Sequence, residues 1–306
     1  MAKLHPSSAS PVVLVTGTSS GIGEATVHRF ARKGWRVVAT TRRNEEPFAD
    51  LPNVRSVYLE QADPASIKRA VAEATEAFGR IDVLVNNAGY CLMGPMEAVS
   101  MEQIRAQYEV NVFGLIAVTQ AALPHLKRAA TDRPGKAGII NIASISADNG
   151  YPFNAVYSSS KGAVMSLTEG LNVELEVVGL YAKAVLPGFI ATDIFSKLDA
   201  PETMPDSYHP LWEQFSDLQS EVKGFTPEQV AKTIFKAATD GKADKVRYYP
   251  TPDASSVPRA KRLMGQDGYW RTFRRALLEG PTWLQRKLAP SGNRDVTIVL
   301  PRIGRP

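Results

Sequence analysis

The sequence predicts an α/β fold in which a doubly wound parallel sheet carries helices on both faces. Six short runs rich in valine and isoleucine, bounded by Gly, Asn or Pro, alternate with longer amphipathic stretches from Val12 onward. Buried strands of parallel sheets have this nearly continuous apolar character, and strands that alternate with helices form right-handed crossovers. A glycine-rich turn between the first strand and the first helix completes the pattern.

The elements follow in chain order. The predicted strands are Val12–Thr16, Arg36–Thr40, Val54–Leu59, Val83–Val85, Gly138–Ile142 and Tyr181–Leu186. The predicted helices are Gly21–Lys33, Ala65–Phe78, Ser100–Ala129, Ala155–Val178 and Pro227–Thr239. The regular pattern of apolar residues fades after Pro187. The mixture of Pro, Asp, Ser and aromatic residues over 193–224 predicts a mobile lid over a site. We therefore predict a flexible N-terminus over residues 1–10, one domain over 11–240 and a basic extension over 241–306.

Composition excludes several classes of protein. Of the 306 residues, 44% are hydrophobic and 22% charged, an ordinary globular balance. No apolar stretch approaches the ~18 residues of a membrane-spanning helix, and the first residues lack a secretory signal. The single cysteine, Cys91, excludes an internal disulfide. These features predict a cytoplasmic protein.

Charge is distributed unevenly along the chain. Residues 1–240 carry a net charge of −4, whereas residues 241–306 carry +9. Because the body is slightly acidic, we expect no nucleic-acid partner. The four histidines (His5, His28, His125 and His209) show no ligand spacing, so no metal site is predicted.

The turn after the first strand, Thr16–Gly23, has the spacing G-x-x-x-G-x-G. Glycines at a strand-to-helix turn let the backbone approach a pyrophosphate, which then lies at the helix N-terminus. A plain flexible turn is the alternative, but the flanking strand and helix favour dinucleotide binding in a Rossmann fold. The cofactor-binding candidates here are Gly17, Thr18, Ser19, Ser20, Gly21, Ile22 and Gly23.

The second predicted strand leads into Arg42, about where the adenosine ribose would lie. An acidic residue at this place would favour NAD, whereas arginine suits the 2′-phosphate of NADP. The alternative is a solvated loop in which Glu45 and Glu46 partly neutralise the arginines. We favour NADP(H), with Arg42 as the main contact.

Polar residues also follow later strands at the carboxyl edge of the sheet, where ligands of open parallel sheets bind. Asn86–Gly89 follows the fourth predicted strand and Ser144 the fifth, while Asn111 lies within an apolar helix. Tyr157 and Lys161, four residues apart, share one helix face. Each of these residues could serve as a cap, a turn or a satisfied core group, but their joint placement around one crevice favours a site.

Together these motifs resemble the short-chain dehydrogenase/reductase family over residues 11–238. The matching elements are, in order, Thr16–Gly23, Asn86–Gly89, Asn111, Ser144, Tyr157 with Lys161, and Pro187-Gly188 followed by Thr192. Ala39–Arg42 and Pro152–Asn154 further resemble the NADP-preferring hydroxysteroid and retinol dehydrogenase branch. One departure is Glu60, which stands where the family commonly has an aspartate that contacts adenine.

The resemblance implies reversible hydride transfer between a nicotinamide and a carbonyl or alcohol carbon, with Tyr157 exchanging the proton. An isolated tyrosine has a pKa near ~10, so we expect the Lys161 ammonium to stabilise its anion. The other roles implied are a ribose contact by Lys161, a donor to the substrate oxygen at Ser144, a water anchor at Asn111 and a carboxamide contact at Thr192. Cofactor contacts are also implied for Glu60, Asn87, Ala88, Gly89, Tyr157, Pro187 and Gly188.

The predicted substrate is a hydrophobic carbonyl or alcohol, such as a steroid, a retinoid or an aryl ketone. Its contacts are Ser144, Tyr151, Tyr157 and Phe189, and the wider set of candidate lining residues is Tyr90, Cys91, Met93, Tyr151, Phe153, Phe189, Ile190 and Phe195. A binding protein without turnover, acting as a redox sensor or scaffold, is the alternative. An epimerase or dehydratase would use the same tyrosine and lysine. The resemblance also implies a homodimer or homotetramer built on the helices Ser100–Ala129 and Ala155–Val178.

The extension contains a basic amphipathic pattern over Pro258–Gly280. Leu263, Trp270, Phe273 and Leu277 recur at roughly helical spacing among six basic residues. Such a helix either packs on its own domain near the substrate entrance or binds an anionic membrane surface or another protein. We favour packing on the domain.

Overall fold

A computed structural model describes residues 10–42, 46–190, 192, 198–221 and 224–279. Its centre is a seven-stranded, fully parallel sheet in the order β3-β2-β1-β4-β5-β6-β7. The strands are β1 (Val12–Val15), β2 (Arg36–Thr41), β3 (Val54–Tyr58), β4 (Val83–Asn86), β5 (Ala137–Ile142), β6 (Leu180–Val185) and β7 (Arg247–Tyr248). The predicted doubly wound sheet is confirmed, and all six predicted strands are present within two residues of their predicted ends.

Helices cover both faces of the sheet. They are α1 (Gly21–Arg32), α2 (Pro64–Phe78), α3 (Met101–Tyr108), α4 (Leu115–Asp132), α5 (Ala155–Glu176), α6 (His209–Glu221), α7 (Pro227–Thr239), α8 (Pro252–Met264) and α9 (Gln266–Glu279). Side chains alternate between faces along β1: Val13 and Val15 pack with α1 and α7, whereas Val12 and Leu14 pack with α2 and α4. Because both faces are covered, the strands lack an outward polar side.

The long helix predicted over Ser100–Ala129 is interrupted in the structure. Ser100 and Gln103 form a capping box at the start of α3, and a π-helical turn, Glu109–Gly114, separates α3 from α4. Such turns occur often at functional sites. The turn contains Asn111, which is 1% exposed and hydrogen-bonds to the backbone of Tyr90.

The region predicted as a mobile lid over residues 193–224 contains the helix α6, so its described part is regular although the sequence shows no clear periodicity there; the lid itself stays a prediction. Its apolar residues pack on a neighbouring loop: the rings of Trp212 and Phe153 are 5.1 Å apart at 84°. The helix starts directly after a 3-10 turn, Asp206–Tyr208, and Pro and Ser around it hide its periodicity in the sequence. Residues 193–197 and 222–223 lie outside the described residues.

The chain beyond Gly241 also differs from the sequence interpretation. β7 pairs with β6 and forms the last strand of the sheet, so the sheet continues into the predicted extension. The single amphipathic helix predicted over Pro258–Gly280 is two helices, because Gly265 adopts a φ of +72° between α8 and α9. Lys261 of α8 donates a hydrogen bond to the Asp148 carbonyl and so ties α8 to the body. No helix in the described ranges is long and apolar enough to cross a membrane.

Candidate active site

A cavity of about 1170 Å³ lies along the carboxyl ends of the strands. It exceeds the range of roughly 300–1,000 Å³ typical of ligand pockets. The predicted site residues that line it are Gly17, Ser19, Ser20, Gly21, Ile22, Gly23, Arg42, Glu60, Asn87, Ala88, Gly89, Ser144, Tyr151, Tyr157, Lys161, Pro187, Gly188, Phe189 and Thr192. The fold thus brings together segments that are up to 175 residues apart in the chain.

The glycines of the first turn are fixed by close packing. Gly17 has a φ of +68°, and a Cβ added there would lie 2.7 Å from the Ala88 Cα. A Cβ on Gly23 would lie 2.2 Å from the Gly17 carbonyl oxygen. These contacts press the turn onto the segment that follows β4, and the first residues of α1, Gly21 to Gly23, line the cavity, where the N-terminus of a helix favours an anion.

Two polar side chains hold this turn from behind. The Thr16 hydroxyl accepts hydrogen bonds from the backbone N–H groups of Asn87 and Ala88, each at 3.0 Å. The Asn87 amide donates to the Thr16 and Gly17 carbonyls, each at 2.9 Å. Asn87 therefore shapes the glycine turn, although it also lines the cavity.

Among the cofactor-binding candidates from Gly17 to Gly23, Thr18 alone does not line the cavity. Its hydroxyl and its backbone N–H both donate to the Thr40 carbonyl, at 3.1 and 2.9 Å. It is fully buried, so its side chain joins the turn to β2 instead of facing a ligand.

Arg42 and Glu60 lie together at the end of the cavity nearest β2 and β3. The guanidinium of Arg42 is 3.6 Å from the Glu60 carboxylate, and the two side chains are 73% and 30% exposed. Exposed pairs of this kind are worth at most about 1 kcal/mol, so an anionic ligand can compete with Glu60 for Arg42.

Ser144, Tyr157 and Lys161 meet near the middle of the cavity. Ser144 follows β5 and accepts a hydrogen bond from the Ser146 N–H at 3.1 Å. Tyr157 lies in the first turn of α5, and its hydroxyl is close enough to Ser144 for Ser144 to lower its pKa, against the larger effect of burial. Lys161, one turn further along, donates to the Ile142 carbonyl at 2.9 Å and lies 5.8 Å from the centre of the Tyr157 ring.

Burial controls the acidity of these groups. It raises the pKa of Tyr157 above its ordinary value of 10, and the nearby Cys91 thiol adds to the shift while the Ser144 hydrogen bond opposes it. Burial lowers the pKa of Lys161 to about 8. The expected lowering of the Tyr157 pKa is therefore not observed, and burial keeps the phenol protonated at neutral pH.

Asn111 does not line the cavity, but it lies directly behind it. Its amide oxygen accepts the Tyr90 N–H at 3.1 Å, and its amide nitrogen donates to the Tyr90 carbonyl at 2.9 Å and to Ser160 at 3.3 Å. A Cβ added to Gly89 would lie 2.9 Å from this oxygen and 3.5 Å from the Lys161 Nζ. Asn111 thus converges with Lys161 around Gly89.

The opposite end of the cavity is apolar. Tyr157 belongs to a buried cluster whose other main members are Cys91, Met93, Phe153, Met204, Trp212 and Phe215. Tyr151 contacts Phe189 and Phe273, with ring centres 6.3 and 5.5 Å apart. Six of the eight candidate lining residues border the cavity; Phe153 packs behind it with a φ of +58°, and Phe195 lies outside the described residues.

Two contributors to this end of the site were not identified from the sequence. Phe215 of α6 lines the cavity, and Asp253 of α8 accepts the Phe189 N–H at 2.7 Å. Neither has a motif, because each reaches the site through tertiary packing. Asn154, of the run Pro152–Asn154, accepts a hydrogen bond from the Cys91 thiol at 3.3 Å. Phe273 of α9, a member of the apolar stripe expected to pack on the domain near the substrate entrance, packs on Tyr151.

The cavity fits a nicotinamide dinucleotide. Its glycine turn at a helix N-terminus suits a pyrophosphate, and Arg42 stands at one end while Tyr157 and Lys161 stand near the middle. The described residues hold no cluster of three or more His, Cys, Asp or Glu side chains that could bind a metal ion.

Known proteins were compared with the chain. The family model described as short chain dehydrogenase matches residues 11–203. An uncharacterised oxidoreductase of Schizosaccharomyces pombe is 34% identical over 212 residues, which cover 69% of this chain and 87% of the relative.

Two similar solved structures contain nicotinamide cofactors. One is a 3-ketoacyl-(acyl-carrier-protein) reductase from Brucella melitensis complexed with NADH, with 26% identity, a TM-score of 0.67 and coverage of 78% of this chain and 96% of that one. The other is ElxO with NADP bound, with 25% identity, a TM-score of 0.68 and coverage of 81% and 100%.

Proposed function

The chain belongs to the short-chain dehydrogenase family of oxidoreductases, and we propose that it reduces the carbonyl group of a hydrophobic substrate with NADPH, in a reversible reaction. The observation that carries the proposal is the placement of Tyr157, Ser144 and Lys161 between a nucleotide-binding turn and an aromatic pocket. The hydroxysteroid and retinol dehydrogenase branch stays a prediction.

The cofactor, when bound, supplies the hydride. The residues proposed to hold it are the glycine turn, Arg42, Glu60, Ala88, Gly89, Pro187, Gly188 and Thr192, with Lys161 at the nicotinamide ribose. Arg42 supports the choice of NADPH, because its guanidinium suits a phosphate and its pairing with Glu60 is long and exposed.

Tyr157 is proposed as the proton donor to the carbonyl oxygen. Because burial raises its pKa, the phenol carries its proton at neutral pH, which suits reduction. The Ser144 hydroxyl, which lines the cavity with Tyr157, can donate to the same oxygen as negative charge develops. In alcohol oxidation the Lys161 ammonium stabilises the phenolate, and Asn111 orients the neighbouring backbone.

The apolar pocket supports a hydrophobic substrate. Tyr151, Phe189 and Phe215 line the cavity beside Tyr157, and burying an apolar ligand against them is favourable by about 25 cal/mol for each Å² removed from water. The pocket therefore favours aryl or alkyl ketones over small polar carbonyl compounds.

A homodimer or homotetramer and a cytoplasmic location complete the proposal. The helices proposed as contact surfaces expose Phe113, Val173 and Val177, which are 53%, 69% and 87% exposed. Light scattering coupled to size-exclusion chromatography tests this, since a monomeric mass would contradict it.

The central experiment is the variant Tyr157→Phe. NADPH oxidation is followed with a panel of aryl, alkyl and small polar ketones, and NADPH binding is measured by fluorescence. We expect kcat to fall by at least about 100-fold, because a positioned proton donor contributes that much or more, while the Kd for NADPH changes less than about threefold.

The matched control is Tyr108→Phe, which removes a hydroxyl that bonds to Ser159 at 2.9 Å outside the cavity. It should retain wild-type turnover. Retention of most of kcat by Tyr157→Phe would contradict the proton-donor role. Tight NADPH binding by the wild type without reduction of any carbonyl compound would favour the sensor or scaffold alternative.

A further inference from the structure

The segment Pro187–Ile190 lines the cavity with all four of its residues. Hydrogen bonds with other segments fix its path, besides a local one from the Thr192 N–H to the Ile190 carbonyl at 2.9 Å. The Ile145 N–H donates to the Pro187 carbonyl at 2.8 Å, the Phe225 N–H donates to the Phe189 carbonyl at 2.8 Å, and the Phe189 N–H donates to the Asp253 carboxylate at 2.7 Å. Only the last of these involves a side chain.

Asp253 is built closely into this position. It lies in the first turn of α8 and is 7% exposed. A Cβ added to Gly188 would meet its carboxylate, with the Asp253 Cγ only 2.4 Å away. Residue 188 therefore has room for glycine alone while Asp253 holds its place.

The hydrogen bond also sets the orientation of a peptide group. The Gly188–Phe189 peptide is trans, as are all described peptide bonds, so its C=O points opposite to its N–H. Because the N–H points at Asp253, the Gly188 carbonyl points away from the Asp253 carboxylate, and Gly188 itself lines the cavity. Rotation of this peptide would move the carbonyl and the Phe189 side chain together.

The two oxygens of the Asp253 carboxylate differ in their hydrogen bonds. The Asp253 Oδ2 accepts the Phe189 N–H, whereas Oδ1 is buried and has no hydrogen-bond partner among the described residues. A buried acceptor without a partner costs free energy. The Asp253 carboxylate keeps its position and its hydrogen bond at Oδ2 in spite of that cost at Oδ1. The carboxylate also lies close enough to Tyr151 to contribute to the raised pKa of that phenol, although burial is the larger cause.

We propose that Asp253 is a positioning residue that orients the Gly188–Phe189 peptide for the nicotinamide end of the cofactor. This inference rests on the proposed function. The proposal gives a role at the site to the chain beyond Gly241, which the sequence predicted as a basic extension. The nucleotide end of the cavity is built on other segments and does not depend on Asp253.

The test compares two ligands that share the adenosine end. NADPH contains the nicotinamide, whereas adenosine 2′,5′-bisphosphate lacks it. Calorimetry on the full chain gives both Kd values for the wild type and for Asp253→Ala. We expect the Kd for NADPH to rise about 10-fold, because a Gly188–Phe189 peptide that is free to rotate would leave only about a tenth of the molecules in the binding-competent arrangement, and the Kd for the bisphosphate to change less than twofold.

Two further variants separate positioning from stability. Asp253→Asn keeps an acceptor oxygen of the same shape and should restore NADPH binding to within about threefold. Asp253→Ser, whose side chain is too short to reach the Phe189 N–H, replaces Asp253→Ala if circular dichroism shows that the alanine variant does not fold. It should give the same selective rise in the Kd for NADPH.

The matched control is Asp240→Asn. Asp240 forms a 2.9 Å ion pair with the buried Lys183, away from the cavity, so this variant should lower the melting temperature without changing the ratio of the two Kd values. Equal changes in both Kd values on Asp253→Ala, or no change in either, would overturn the proposal. A wild type that binds the bisphosphate but not NADPH would instead contradict the proposed function.

Discussion

The two ends of the cavity are built in different ways. At the nucleotide end, one strand–turn–helix unit over residues 12–32 supplies the glycine turn, and its main contacts are backbone groups and glycines without side chains. At the substrate end, aromatic side chains from the loop before α5 and from α6 line the cavity, and a ring of α9 packs on one of them. The glycine turn is local in sequence, whereas the aromatic wall is assembled from distant segments.

This difference predicts how each end responds to substitution. A backbone cradle has no spare room, so a single added methyl group disturbs it. An aromatic wall contains several rings, so the remaining rings still contact the substrate when one ring is removed. Substitutions at the nucleotide end should therefore be severe and should affect every substrate, whereas those at the substrate end should be milder and selective.

The largest effect is expected from Gly23→Ala. The new Cβ would lie 2.2 Å from the Gly17 carbonyl oxygen and 2.7 Å from the Asn87 amide nitrogen, and backbone cannot move aside as a flexible side chain can. We expect a loss of about 1–3 kcal/mol in the free energy of unfolding and loss of NADPH binding. Denaturant unfolding and fluorescence titration measure the two.

Gly170→Ala is the matched control. Gly170 lies in α5 with nothing within 4 Å of an added Cβ, so alanine there should stabilise the helix by about 0.5–1 kcal/mol and leave nucleotide binding unchanged. Normal NADPH affinity in Gly23→Ala would contradict the view that the turn is a rigid cradle.

An intermediate effect is expected from Arg42→Ala. If Arg42 binds the 2′-phosphate, its loss removes a charge-assisted hydrogen bond worth about 1.5–3 kcal/mol, which raises the KM for NADPH about 10- to 100-fold. The KM for NADH, which lacks that phosphate, should change less than about threefold. Steady-state kinetics with each cofactor measure the two KM values. Equal changes in both would show that Arg42 does not discriminate between NADPH and NADH.

The smallest effect is expected at the substrate end, from Phe273→Ala. Its ring packs edge-on against Tyr151 at 5.5 Å, and such a pair is worth about 0.5–1.5 kcal/mol. We expect the KM for a bulky aryl ketone to rise about 2- to 10-fold, with the Kd for NADPH unchanged.

Arg274→Ala, on the exposed side of α9, is the control and should leave both constants unchanged. A larger effect from Arg274 than from Phe273 would favour the alternative in which the outer side of α9 binds a partner that assists turnover.

Much of the architecture follows from the sequence alone. The alternation of Val-rich runs with amphipathic stretches predicts six of the seven strands, because parallel strands buried on both faces must be apolar throughout. β7 was missed since it has only two residues, Arg247 and Tyr248, and it is fixed by pairing with β6. The break at Asn111 was missed because a π-helical turn keeps the apolar pattern of the helices around it.

The residues of the candidate site also fall into those that the sequence indicates and those that only the structure reveals. The sequence by itself determined the glycine turn and the residues Ser144, Tyr157 and Lys161, because their spacing along strand ends and one helix face places them at the carboxyl edge of any sheet of this type. Only the tertiary structure decided that Thr18 and Asn111 support the site from behind, that Phe215 lines the pocket, and that Asp253 reaches the Phe189 N–H. These contacts join segments far apart in the chain, so they depend on packing that no local pattern encodes.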